Sequence, residues 1–153
     1  MKKSITKTLT LLALCTAIFS FSFKPGGEGF EVYLNTKLIL QRFGNQLSTA
    51  QTIQLDQGSA NDELTIKYYH CGTAGKNRVL TIKDGQNKVL KEYRFADAAS
   101  NASGMKCRVN EMVSLRKGNT STLKLYYTSS EIPGGRLLAS IVTSTSATAS
   151  LMP

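Results

Sequence analysis

Histidine occurs once in this chain, at position 70, and tryptophan does not occur at all. With one imidazole, any Ser–His or Cys–His catalytic pair must use His70. A zinc site built on His70, Cys71 and Cys107 falls short of the usual four ligands. The missing tryptophan removes a large stacking side chain and weakens any carbohydrate reading. Acidic residues number 10 against 19 basic ones. Asp56, Asp62, Glu63, Asp84 and Asp97 sit beside turns or bases rather than as the paired carboxylates that sugar hydrolysis needs. Glu111 shares the phase of Val109 and Val113, which a strand bulge or an arginine partner accounts for. No run resembles the D-x-[DN]-x-[DN]-G loop of calcium sites. The sequence therefore reads as a non-enzyme, with no cofactor and no metal.

The first 22 residues are the most directive segment. Lys2, Lys3 and Lys7 precede an apolar run from Leu9 to Phe21, and no acid appears before Glu28. Ser20 and Ser22 are small residues at the −3 and −1 positions of a cut before Phe23. This is the anatomy of a secretory signal peptide. A retained anchor needs about 20 apolar residues, whereas this run has 13 and is interrupted by Thr10, Cys15, Thr16 and Ser20. Lipidation at Cys15 is the other alternative, but Leu14 is bulky where a small residue belongs. The expected organisation is a cleaved segment at 1–22, one β domain at 23–142 and a Ser/Thr/Ala-rich tail at 143–153. No membrane span remains after cleavage, and the expected location is secreted or periplasmic.

Removing the three leading lysines leaves sixteen bases against ten acids, a net +6. The bases are scattered, so nucleic acid is not an expected partner. Cleavage also removes Cys15. In an oxidising compartment the remaining pair, Cys71 and Cys107, is expected to form a disulfide, with two free thiols as the alternative. Closing that loop would contribute roughly 4 kcal/mol in the chain-entropy picture.

Short alternating runs fill the rest. Phe30, Val32 and Leu34 alternate with Glu31 and Tyr33, while Leu38 and Leu40 recur at spacing two. Ile53 and Leu55 follow. Leu64, Ile66 and Tyr68 alternate with Lys67 and Tyr69; Leu80 and Ile82 with Thr81 and Lys83. Val89, Tyr93 and Phe95 share a face. Met105, Cys107, Val109, Val113 and Leu115 form another series, then Leu123, Leu125 and Tyr127, then Leu137, Ala139 and Ile141. Period two with one polar side is the signature of half-buried antiparallel strands. About eight or nine of them predict an all-β antiparallel sandwich, jelly-roll or Ig-like, with a closed barrel as the alternative. Asp84-Gly85 predicts a hairpin, and Pro133-Gly134-Gly135 predicts a turn before the last strand. The candidate core includes Leu38, Val89 and Leu137.

Two constellations point to binding. The loop Cys71–Arg78 ends in Gly75-Lys76, but His70 and Asn77 stand where a phosphate loop needs Gly and Ser/Thr, and no helix follows. Glycine amides flanked by Lys76 and Arg78 remain a candidate anion site. Separately, Tyr33, Lys67, Tyr69, Lys124 and Tyr126 share the outward phase, which predicts an exposed aromatic and basic sheet surface. The expected function is an exported binding or adhesion module for a surface, a glycan or cell-envelope component, or a protein partner. The alternative is an assembly subunit that uses strand addition at an edge. Asn101 and Asn119 begin N-x-S sequons, relevant only in a glycosylating host.

Overall fold

The computed structural model describes residues 27–100, 103–116 and 122–144. The predicted signal segment, Asn101, Asn119 and the tail beyond Ser144 lie outside the described residues. Among the described residues there are nine strands: β1 (Gly29–Leu34), β2 (Lys37–Phe43), β3 (Gln51–Asp56), β4 (Glu63–Tyr69), β5 (Arg78–Lys83), β6 (Val89–Phe95), β7 (Met105–Arg108), β8 (Leu123–Ser129) and β9 (Ile132–Ser144). One short helix, α1 (Val109–Val113), follows β7. The strands form a four-stranded sheet, β2-β1-β4-β7, and a five-stranded sheet, β3-β9-β8-β5-β6. This is the predicted β-sandwich; neither sheet closes, so the barrel alternative is excluded. All pairings are antiparallel except β3 with β9.

The alternation explains the layers. Val32, Leu64, Ile66, Leu80, Ile82, Leu125 and Ile141 are fully buried between the sheets, and each such side chain contributes roughly 1.5–3 kcal/mol. Asp84 closes the predicted β5–β6 hairpin: its carboxylate accepts from the amides of Gln86 and Lys88 at 3.0 and 2.9 Å. Asn87 takes the left-handed position, φ 66°, which asparagine tolerates.

Three bulges account for three errors in the predicted core. Val32 pairs with Leu40 and Tyr33 with Leu38, so Ile39 is an extra residue and Leu38 is 42 % exposed. Ile82 pairs with Lys91 and Lys83 with Val89, which makes Leu90 extra and leaves Val89 49 % exposed. Leu125 pairs with Ala139 and Tyr126 with Leu137, so Leu138 is extra and enters the core in place of Leu137. Each inserted residue reverses the phase that sequence parity carries forward.

Two further expectations are corrected. The run through Val109 and Val113 is not strand: α1 begins at Val109, whose amide donates to the Asp62 carbonyl, and Val109 and Met112 turn one buried face inward. The turn into β9 is Ser130-Glu131, between the paired Ser129 and Ile132; Pro133–Gly135 lies within β9, where Gly135 adopts φ 72° at an irregularity. A β-carbon there would lie 2.8 Å from the Thr128 methyl. β9 runs on through Ser144, where Thr143 and Ser144 pair with Leu55 and Asp56 of β3.

The predicted disulfide is absent: Cys71 and Cys107 are free. Cys107 lies on β7 opposite Leu64, at the start of β4, whereas Cys71 follows the far end of that strand. At about 3.3 Å per residue they are roughly 20 Å apart, beyond the ~7 Å Cα limit for a bridge. Burial, with the Glu111 and Glu63 charges, pushes the Cys107 thiol up to about 12. Alkylation of native protein followed by peptide mapping should therefore modify exposed Cys71 and spare Cys107 until denaturant is added. A Cys71–Cys107 linked peptide would contradict this arrangement.

Candidate functional site

The outer face of the four-stranded sheet is set by cross-strand register. Gly29 on β1 stands between Phe43 on β2 and Tyr69 on β4; Glu31 stands between Gln41 and Lys67; Tyr33 stands between Leu38 and Thr65. Because Gly29 carries no side chain, the Phe43 and Tyr69 rings meet over it, centroids 5.6 Å apart. A β-carbon at Gly29 would lie 1.9 Å from Phe43 Cδ1 and 2.7 Å from the Arg42 carbonyl oxygen. Glu31 Oε2 accepts from both hydroxyls, Tyr33 at 2.7 Å and Tyr69 at 2.8 Å. Lys67 Nζ sits 4.8 Å from the centre of the Tyr33 ring, a cation–π distance. The hydrogen bond to Glu31 raises the Tyr33 phenol, with burial adding; burial raises the Tyr69 phenol, followed by Glu31. Both tyrosines stay neutral donors, and one carboxylate fixes two rings.

The predicted five-residue surface does not exist as one surface. Tyr33, Lys67 and Tyr69 come together, but Lys124 and Tyr126 lie on β8 in the other sheet. Phase reports inward or outward, not which sheet. There Lys83, rather than Lys124, covers the Tyr126 ring, 4.3 Å from its centre. Lys124 donates to the Gly85 carbonyl and to Asn87 Oδ1, bracing the β5–β6 turn.

The glycine loop does bind anions, but they are its own. The Lys76 amide donates to both Glu131 carboxylate oxygens at 3.2 and 3.1 Å, and the Asn77 amide donates to Asp97 Oδ1 at 2.8 Å. Arg78 is only 7 % exposed. Its Nε and Nη1 donate to the carbonyls of Ala96 and Ser103. It is a clamp on Ala96 and Ser103, not a free cation.

A third region was not legible beforehand. His70 is buried and its Nε2 lies 2.9 Å from the Tyr127 hydroxyl. Tyr127 stacks on Tyr68, centroids 4.4 Å apart. Tyr68 donates a short hydrogen bond to Glu28, which is also ion-paired to Arg136 at 2.9 Å. A cleft of 210 Å³ opens here, lined by Glu28, His70, Cys71, Thr73, Glu131 and Ile132. Tyr68 and Tyr127 carried the inward phase, but Glu28 and Glu131 reach the cleft, and Arg136 reaches Glu28, from segments with no common pattern. Phe43 and Glu31 were likewise missed on the outer face, since their role depends on which strands flank β1.

Burial works to raise the Glu131 carboxyl, but the Lys76 amide and other hydrogen bonds, with His70, outweigh it and hold it below the usual range. Burial also depresses His70 against the pull of Glu131 and Glu28, and Arg78 adds to the depression. A carboxyl held low does not serve as a general acid at neutral pH. No group of three or more metal-ligating side chains is present among the described residues. No protein family matches this chain, and no curated protein matches its sequence.

Two outcomes are expected. Gly29→Ala should destabilise the protein by about 1–3 kcal/mol in urea unfolding, because Phe43 must leave its place and the Arg42 carbonyl cannot; unchanged stability would mean the rings do not close over Gly29. For His70, folding lowers the imidazole below its ordinary 6.5, so the unfolded chain takes up the proton first. Stability should therefore fall as pH drops through about 6.5. Unfolding midpoints measured above and below this pH should differ less in His70→Gln than in the parent protein.

Proposed function

We propose that this chain is an exported, non-catalytic binding module that takes a glycan or another cell-envelope component on the outer face of its four-stranded sheet. One observation carries the reading: Tyr33 and Tyr69 are locked to a single Glu31 oxygen, with Lys67 over one ring and Phe43 against the other. Rings fixed before binding lose little conformational freedom on contact. Their faces offer apolar stacking surface, and the lysine adds attraction to acidic groups. Export rests on the N-terminal pattern of residues 1–22, and with it a secreted or periplasmic location.

The absence of catalysis is supported by how the polar groups of the His70 cleft are engaged. Tyr127 holds His70, Arg136 and Tyr68 hold Glu28, and the Lys76 amide holds Glu131. Each of these groups is committed to holding the fold. The reading assigns no cofactor to the protein.

A glycan array probed with the exported protein tests the proposal. Tyr33→Ala and Tyr69→Ala should weaken binding at every salt concentration, because stacking is not screened. Lys67→Ala should weaken it chiefly at low salt. Tyr126→Ala and Lys124→Ala, on the other sheet, should leave it unchanged. Equal loss from Tyr126→Ala, or none from Tyr69→Ala, would reject this face as the contact surface.

A further inference from the structure

The outer face of the four-stranded sheet holds a lysine without an acid. Lys67 on β4 stands directly opposite Glu31 on β1, a placement in which opposite charges stabilise a sheet. Yet no ion pair among the described residues includes Lys67. Glu31 Oε2 is taken by the Tyr33 and Tyr69 hydroxyls, and Lys67 lies over the Tyr33 ring instead. On the same face Lys106, opposite Thr65, does find a carboxylate, that of Glu63 at 2.7 Å. The rest of the chain holds no spare acid for Lys67. Its undescribed residues, 1–26, 101–102, 117–121 and 145–153, include no acidic side chain. Of the ten acids, Asp56 stands on β3 in the other sheet. Each of the remaining acids already accepts a hydrogen bond from the chain's own donors. A second copy brings only the same committed carboxylates.

Resting on the reading of this face as a glycan contact surface, we infer that the glycan is an acidic one, bearing carboxylate or sulfate groups, and that Lys67 selects it. The ammonium covers one face of the Tyr33 ring, so a sugar that stacks on that face must displace it. A neutral sugar offers the displaced charge nothing better than water does. An acidic sugar offers an anion, and the lysine exchanges the ring for a charge-assisted hydrogen bond. The uncovered ring is then free to stack. It stays in place meanwhile, because Glu31 still holds its hydroxyl. The Glu31 charge repels acid groups from the β1 side, so the favoured position for the ligand's acid is at Lys67, on the β4 side.

Titrations of the exported protein with acidic glycans, each beside its neutral form, test this. The probes are oligogalacturonate with its methyl ester and a sulfated galactan with its desulfated form. At low salt at least one acid form should bind about fivefold more tightly than its neutral counterpart, as one exposed charge pair provides, and the gap should narrow at high salt. Lys67→Gln should close the gap, while the neutral forms keep or gain affinity because the Tyr33 ring is uncovered. Lys83→Gln removes the matching charge over Tyr126 on the other sheet and should leave the gap unchanged. Equal binding of acid and neutral forms, a gap that survives Lys67→Gln, or equal loss from Lys83→Gln would overturn the inference and leave the glycan reading standing. A protein that binds none of these glycans and nothing on the array would reject that reading, and the inference with it.

Discussion

Everything else in this protein depends on two sheets burying one face each against the other. Leu64 and Ile66 from one sheet, and Leu80, Ile82, Leu123 and Leu125 from the other, are shut off from water, and no disulfide shares the task. Alternation along each strand then fixes what is left over. Every second residue must face outward, and on β1 and β4 those residues include Glu31, Tyr33, Lys67 and Tyr69. The candidate contact surface is a by-product of the core that is held still by its own hydrogen bonds. The aromatic stack of Tyr68 and Tyr127 continues the same core toward one end, where it meets the only buried imidazole among the described residues.

The glycine loop and the His70 cleft show how polar groups can be gathered without being free to act. A loop of amides beside Lys76 and Arg78 has the chemistry to hold an anion. Glu131 and Asp97 supply that anion from within the chain. Asn77 adds a bond to Ser130, and Gly75 lies so close to His70 and Tyr127 that a β-carbon would come within 2.9 Å of each. These contacts pack the loop against the sandwich end. They are structural in effect, however functional the sequence looks.

How much was legible follows from range. Local periodicity gave the strands, the sandwich class, the β5–β6 hairpin and the inward or outward sense of most side chains. It failed at Leu38, Val89 and Leu137, where single inserted residues invert the phase, and at Val109–Val113, where a strand-like pattern is one helical turn. Sheet membership is a long-range property. Tyr33 and Tyr126 read alike along the chain but lie on different sheets, and Cys71 and Cys107 looked pairable until β4 set them at opposite ends. Phe43 joined the site only because Gly29 leaves a gap beside it.

The most direct test of the contact surface is a chemical-shift map of the protein titrated with the best oligosaccharide from the glycan array. The account predicts that the largest shifts fall on Glu31, Tyr33, Phe43, Lys67 and Tyr69. Shifts confined to Cys71–Thr73 and Glu131, or to Lys83 and Tyr126, would contradict it.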